Sequence, residues 1–191
     1  MVYGIRLSGR SLPQAILPLT TIGYAAPGAV LGIGILVPLG IADNWVADRV
    51  LDLTGYDPGL IFTGTAFAII LAYCVRFFSI AQHTVDGAFG RISPSLPNAA
   101  QSLGRNKLQV LLQIYRPLIS TSTATALLLI FVDCVKELPA TMLLRPFNFE
   151  TLATRVHVQA SLENLPNAAP GSILIVLISL FAVFLLARAN R

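Results

Sequence analysis

Charge is what this sequence has least of. Asp, Glu, Lys and Arg make up 12% of its 191 residues, against a hydrophobic share of 55% and a mean hydropathy of +0.74. Soluble domains carry about a quarter of their residues charged, so a water-soluble globular class is excluded and an integral membrane protein is indicated. The net charge of +4 would point to nucleic acid in a soluble domain. In a membrane protein it reports which loops stay in the cytoplasm, and no nucleic-acid partner is expected. Cysteine is nearly as scarce. Cys74 and Cys134 lie inside or at the edge of apolar runs, without a partner at metal-ligand spacing, which excludes a disulfide framework and a zinc site and leaves them as expected small core residues. His83 and His157 stand apart from any carboxylate cluster, so no metal site is expected. The two lysines, Lys107 and Lys136, are not preceded by the glycine of GxxxxGK[ST]. Without a P-loop, a GxSxG, an HExxH or paired catalytic carboxylates, no enzymatic activity and no bound cofactor are expected of this chain.

What the sequence has instead is four apolar runs, expected as membrane-spanning helices at about 21–41, 60–81, 117–136 and 171–187, each near the ~20 residues that cross a bilayer. Arg6 and Arg10 precede the first run as in a signal peptide, but no A-x-A-like cleavage site follows, so a retained span is expected. Pro27, Pro38 and several glycines within it are tolerated where helices pack closely, which predicts a bundle. Asp43, Asp48, Asp52 and Asp57 against a single Arg49, with Trp45 at the interface, read as an outer connection. The second run is interrupted by Arg76, whose long stem could snorkel to the headgroups. The connection 82–116 is basic, with Arg91, Arg105, Lys107 and Arg116 against Asp86. Placing this loop, Arg76 and both termini in the cytoplasm puts nine of the thirteen basic residues inside, which satisfies the positive-inside rule and leaves 137–170 outside.

Two segments carry chemistry. In the basic loop, Asn98 follows Pro94 and Pro97 and is a good N-cap, so a helix from Ala99 is expected. Leu103, Leu108, Leu111, Leu112 and Tyr115 fall mostly on one helical face. Gly104 interrupts them, and a turn between two short helices fits as well as one continuous helix. Such an element can dock a partner or lie on lipid headgroups, and periodicity does not choose. Near the expected outer end of the third span, Asp133, Lys136 and Glu137 stand at i, i+3 and i+4 and would share a helical face. Charges at that depth turn inward and pair, so they read either as the lining of a translocation path or as a local pair of Lys136 with Asp133 or Glu137. Pro139 breaks the helix and frees carbonyls, which makes 137–141, through Thr141, the better candidate for a gate or path wall. Arg145 and Arg155 fall in the outer segment, where an external partner could dock, although a solvated role suits each singly.

Ala99, Ala100, Gly104, Ile114 and Pro117 match the spacing of the EAA motif of ABC importer permeases. Asn98 stands where that family usually has Glu, and Arg116 where Leu commonly precedes the proline. The stretch FVDCVKELPATMLLRPFNFETLATRV at 131–156, with YAAPG at 24–28 and ISPSLPNAAQSLG at 92–104, resembles the ferric iron branch of those permeases. The resemblance implies an all-α, type I ABC importer permease-like bundle of about four transmembrane helices with a cytoplasmic coupling helix, in the cell inner membrane. It implies that Asn98, Ala99, Ala100, Gly104, Ile114 and Pro117 form the ATPase-coupling loop. The implied partners are an ABC ATPase subunit that hydrolyses the ATP, a second permease half or copy, a periplasmic substrate-binding protein that chiefly recognises the iron, and membrane lipid. Ferric-branch permeases usually join two halves in one chain, so this sequence resembles a carboxy-terminal half, a fragment or a half-size subunit. Polyamine, thiamine and sulfate permeases share the EAA loop. A secondary transporter or channel component coupling ions through Asp133, Lys136 and Glu137 is the reading from another class.

Overall fold

The structure, a computed structural model, describes residues 19–189; Arg6, Arg10, Arg191 and the signal-like amino terminus lie outside the described residues. Helices follow one another as α1 (Leu19–Ala25), α2 (Gly28–Thr54), α3 (Phe67–Gly90), α4 (Ser95–Ser102), α5 (Lys107–Val110), a π turn (Leu111–Tyr115), α6 (Arg116–Lys136), α7 (Pro139–Leu144), α8 (Leu152–Ser161) and α9 (Leu165–Ala189). No strand occurs among the described residues. Four runs, Gly28–Thr54, Phe67–Gly90, Lys107–Lys136 and Leu165–Arg188, are long and apolar enough to cross a membrane, so the protein is an all-α polytopic bundle.

Much of its interior is built from small residues: Ala68, Ala72, Ala88, Ala126, Ala140, Ala168 and Ala182 are buried beside Ile69, Phe77, Phe89, Val110 and Leu144, whereas Val30, Ile33, Ile41, Val176, Leu180 and Phe184 face outward. Between helices in lipid there is no hydrophobic drive to exploit, and small side chains let backbones approach. Gly23 of α1 lies so close to α3 that an added Cβ would sit 2.5 Å from the Val75 carbonyl oxygen. α1 packs on α3, α2 on α7, α3 on α6, and α9 on α8 and α6. Ala68, Ile69, Ala72 and Leu144 form a core cluster against Ile35, Leu36, Leu39 and Tyr73.

The element boundaries depart from the sequence reading in ways the chemistry explains. The first run breaks at Ala26 and Pro27, then continues as helix through the acidic stretch to Thr54, because Asp43 turns inward instead of belonging to a solvated loop. Gly55, at φ 69°, closes α2 by donating to the Leu51 carbonyl. Residues 82–90, expected in the basic loop, prolong α3, since Ala88 and Phe89 still have something to bury against. Asn98 is not an N-cap. α4 starts at Ser95, and the Asn98 N–H already donates to Pro94 O at 3.2 Å; Pro97 sits in the first turn, where a missing N–H costs nothing. The capping asparagine is Asn106, whose side chain accepts from Gln109 N at 2.8 Å while Gln109 returns the bond to Asn106 N at 3.0 Å. Gly104, at φ 83°, ends α4 in a left-handed turn, and Arg105 N reaches back to Ala100 O at 3.0 Å, the closure glycine permits. Within the expected outer segment 137–170, α7, α8 and the first turn of α9 are helical, and Pro170 lies inside α9.

Candidate functional site

The site is assembled where two helices are interrupted. α6 stops at Lys136 because Pro139 cannot donate to its last turn. Glu137 adopts an extended ψ of 119°, so it leaves the face that carries Asp133 and Lys136. The expected three-charge face is therefore split in two. Lys136 Nζ pairs with Asp133 Oδ1 at 2.9 Å, with side chains 60% and 21% exposed. Glu137 is buried and pairs with a residue the sequence reading had sent elsewhere, Arg76, whose Nε approaches Glu137 Oε2 at 3.2 Å as an ion pair without hydrogen-bond alignment.

Arg76 does not snorkel. It lies nine residues after Phe67 and fourteen before Gly90, about 13 and 21 Å along the axis at ~1.5 Å per residue, so both ends of α3 are beyond easy reach. Its Nη1 donates to Ala26 O at 3.3 Å, a carbonyl released by the break at Pro27. Glu137 Oε1 accepts from Ala140 N at 3.2 Å, capping α7, and its carbonyl accepts from Thr141 Oγ1 at 3.1 Å. Thr141 is fully buried. Since its proton is committed to that carbonyl, the Tyr73 hydroxyl at 2.6 Å is the donor to it. Gly28 closes the assembly: a Cβ there would meet Glu137 Oε1 at 2.9 Å, Arg76 Nη1 at 3.0 Å and Pro139 Cβ at 3.2 Å. Of the proposed path residues, Glu137, Pro139 and Thr141 thus come together around Arg76, and Asp133 with Lys136 forms a separate, more exposed pair. A cleft of about 340 Å³ beside them, between α3 and α6, is lined by Tyr73, Cys74, Phe77, Ile130 and Cys134. Both cysteines face this cleft, Cys74 exposed and Cys134 half-buried, so they are not the core residues expected.

Asp43 was missed, having been read as one of several loop acids. It is fully buried. Its Oδ1 accepts from Ile61 N at 2.9 Å and Phe62 N at 2.7 Å, and its Oδ2 from Thr63 N at 2.7 Å and Thr63 Oγ1 at 2.6 Å. Four donors on one carboxylate pin the α2–α3 connection back onto α2. Its spacing from the other acids gives no hint of this; the single usable signal was its position at the end of an apolar run.

At the opposite end of the bundle, α4, the Gly104 turn and α5 make a helix–turn–helix. Asn98, Ala99 and Gly104 are exposed, Ala100 and Ile114 half-buried, and Pro117 exposed after the π turn. Leu103, 84% exposed, and Leu96, Leu108 and Leu112 also face outward, so the apolar stripe is not spent on the protein's own body. Contacts that hold the element to the spans include buried Val110, the Phe89 and Tyr115 rings at 4.7 Å, and Arg91 Nη2 donating to Ser122 Oγ at 3.0 Å. Between α5 and α6 the Arg116 N–H bonds to Leu111 O, five residues back. Pro117 supplies the reason, since its ring presses on the carbonyl four residues earlier and the turn widens to relieve it.

The two arginines expected outside are not brought together. Arg145 Nη1 donates to Phe149 O at 3.3 Å and stands 3.7 Å from Glu150 Oε1, bracing a loop whose tip carries the fully exposed Phe147. Arg155 is on α8, beside a second cleft of about 340 Å³ with Asn167, Gly171 and Leu174.

Residues 1–191 match the family described as binding-protein-dependent transport system inner membrane component. A ferric iron transport system permease protein of Haemophilus influenzae is 34% identical over 124 residues, 65% of this chain and 24% of that protein. A ferric transport system permease protein of Actinobacillus pleuropneumoniae is 28% identical over 162 residues, 83% of this chain and 22% of that one. A Salmonella typhimurium permease, provisionally named for 2-aminoethylphosphonate transport, is 25% identical over 198 residues, covering 93% of this chain and 75% of itself. The chain spans about a quarter of the length of the ferric relatives it matches.

Proposed function

We infer the function from one premise: the chain belongs to the binding-protein-dependent transport system inner membrane components. It is a multi-pass inner-membrane transport permease, and its family is one of transporters, not of enzymes. We propose that it carries ferric iron, the solute named for the relatives that match most of its length at 27 to 34% identity. ATP hydrolysed by a separate subunit would drive the cycle, with a second permease half or copy completing the path and a periplasmic binding protein delivering the iron to the side that carries Arg145 and Arg155.

One observation carries this reading. The α4–Gly104–α5 element holds its leucines outward and runs, with no flexible linker, through the π turn into a membrane-crossing helix whose far end holds the charged helix break. A push on Asn98, Ala99, Ala100 and Gly104 would reach Ile114, Pro117 and α6 as a lever, and through α6 the path residues Asp133, Lys136, Glu137, Pro139 and Thr141. The positive-inside distribution supports a cytoplasmic position for this element and for both termini. The likeness to the Salmonella permease supports one competitor, a permease for a phosphonate.

The test is ATP-dependent uptake into vesicles containing the chain, its permease partner and the ATPase. Radiolabelled ferric iron delivered by the binding protein should accumulate, and excess 2-aminoethylphosphonate, polyamine, thiamine or sulfate should not compete. Uptake that persists without any ATPase would sink the importer reading in favour of a secondary transporter or channel.

A further inference from the structure

We propose that Arg76 is a positioning residue: through Glu137 it fuses the break before α2 and the break after α6 into one rigid body that stays closed during transport. This rests on the importer reading, and it reverses the role expected of Glu137, from a moving gate to part of the frame against which other parts move.

The argument starts from position and burial. Arg76 and Glu137 sit far from both ends of α3, with side chains 18% and 8% exposed. Pulling them apart would leave two uncompensated charges among apolar side chains, a state that membrane interiors avoid. The pair is also held from every side. Arg76 binds the free Ala26 carbonyl of the first break, Glu137 caps α7 at the second, and Gly28 leaves no space between the two charges and Pro139 into which either side chain could swing. The core cluster of Ala68, Ile69, Ala72 and Leu144 then glues α2, α3 and α7 together directly beside them, and Asp43 ties the α2–α3 connection down at the far end. By contrast, α8 and α9 pack chiefly on each other, with α9 also resting on α6, and Lys136 of the Asp133–Lys136 pair is exposed. α6 makes its most extensive contact with α3 and belongs to the same body, so motion during transport belongs to α8–α9, sliding past a fixed α1–α2–α3–α6–α7 body.

Two measurements test this in the complete importer. In the first, Arg76→Gln and Glu137→Gln are each compared with the double substitution, the exchanged pair Arg76→Glu/Glu137→Arg, and Arg76→Lys. Each single neutral variant should lower ferric iron uptake at least tenfold and lower the melting temperature. The double neutral variant and Arg76→Lys should recover uptake to within threefold and recover most of the melting temperature. A double variant no better than the worse single one, or a wild-type Arg76→Gln, overturns the proposal.

The second measurement locks the body. A Cβ at Gly32 would lie 3.4 Å from Leu143 Cβ, close to disulfide range, so Gly32→Cys/Leu143→Cys, with Cys74 and Cys134 replaced by serine, can be joined by an added two-electron oxidant. Uptake should survive cross-linking to within twofold of the reduced form. A tenfold loss restored by a reductant means that α2 and α7 separate in the cycle and refutes the rigid body. Should the unmodified chain take up no iron, the function falls, and the melting temperatures of the charge variants still decide whether Arg76 and Glu137 act as a pair.

Discussion

At the scale of single residues, buried acids do the work that the sequence's few charges would not be expected to do. Asp43 illustrates it: the carboxylate holds three consecutive backbone N–H groups and one hydroxyl. Asp43→Ala leaves four part-buried donors without their acceptor and should cost about 1–3 kcal/mol. Thr63→Val removes one of them and should cost about 1 kcal/mol. Unfolding in mixed micelles checks both values, and equal effects of the two would refute the ranking. Neither residue was legible beforehand, because a sequence shows an acid's neighbours along the chain, and those that matter here lie 18 to 20 positions away. Arg76 misled for the same reason. Its place inside an apolar run was visible, but its partner 61 residues downstream was not, and a long stem made snorkelling the economical reading.

At the scale of elements, what could be read was what local chemistry determines. Gly104 announced a turn, and its φ of 83° is the conformation that side-chain-bearing residues adopt only at a cost of roughly 1–2 kcal/mol. Gly104→Val should therefore distort the α4–α5 turn while leaving the spans folded. Helical content by circular dichroism should be unchanged within error, and the amount of ATPase retained on co-purification should fall at least fivefold. Full retention of ATPase would mean that this turn is not the docking element. Asn98 shows the limit of the same reasoning. Asn98 and Asn106 are both good caps by type, and the choice fell to Asn106 because Gln109 stands at the reciprocal position, whereas Pro94 and Pro97 let α4 begin earlier. Pro139 was read correctly as a helix stop. What a stop does to the next residue was not legible, since turning Glu137 away from Lys136 depends on the backbone path that α7 requires. The π turn had no signal beyond Pro117, which alone is compatible with a simple helix start.

At the scale of the whole molecule, the composition fixed the class and the match over residues 1–191 fixed the family, while the packing adds a rule of its own. Because much of the interior is alanine, with Ile69, Phe77, Phe89, Val110 and Leu144 among it, and many leucine, isoleucine and phenylalanine side chains face outward, small-to-large changes at the buried alanines are a sensitive direction of mutation. Ala72→Leu, at a position 1% exposed between α3 and its neighbours, should destabilise by about 1–3 kcal/mol through overpacking. Leu180→Ala on the outer face of α9 should change stability in lipid little, and unfolding in bilayers can compare the two.

The same inside-out arrangement has a calorimetric consequence. In water, unfolding exposes apolar surface and raises the heat capacity by about 12–15 cal/mol/K per residue. The large apolar side chains on the outer faces of the spans would meet hydrocarbon in a bilayer both when folded and when the helices separate, so the surface transferred to water is small. Heat-capacity change on helix separation in a bilayer should therefore fall well below that figure, the stability curve should be flat over temperature, and cooling should bring no cold-induced loss of the bundle.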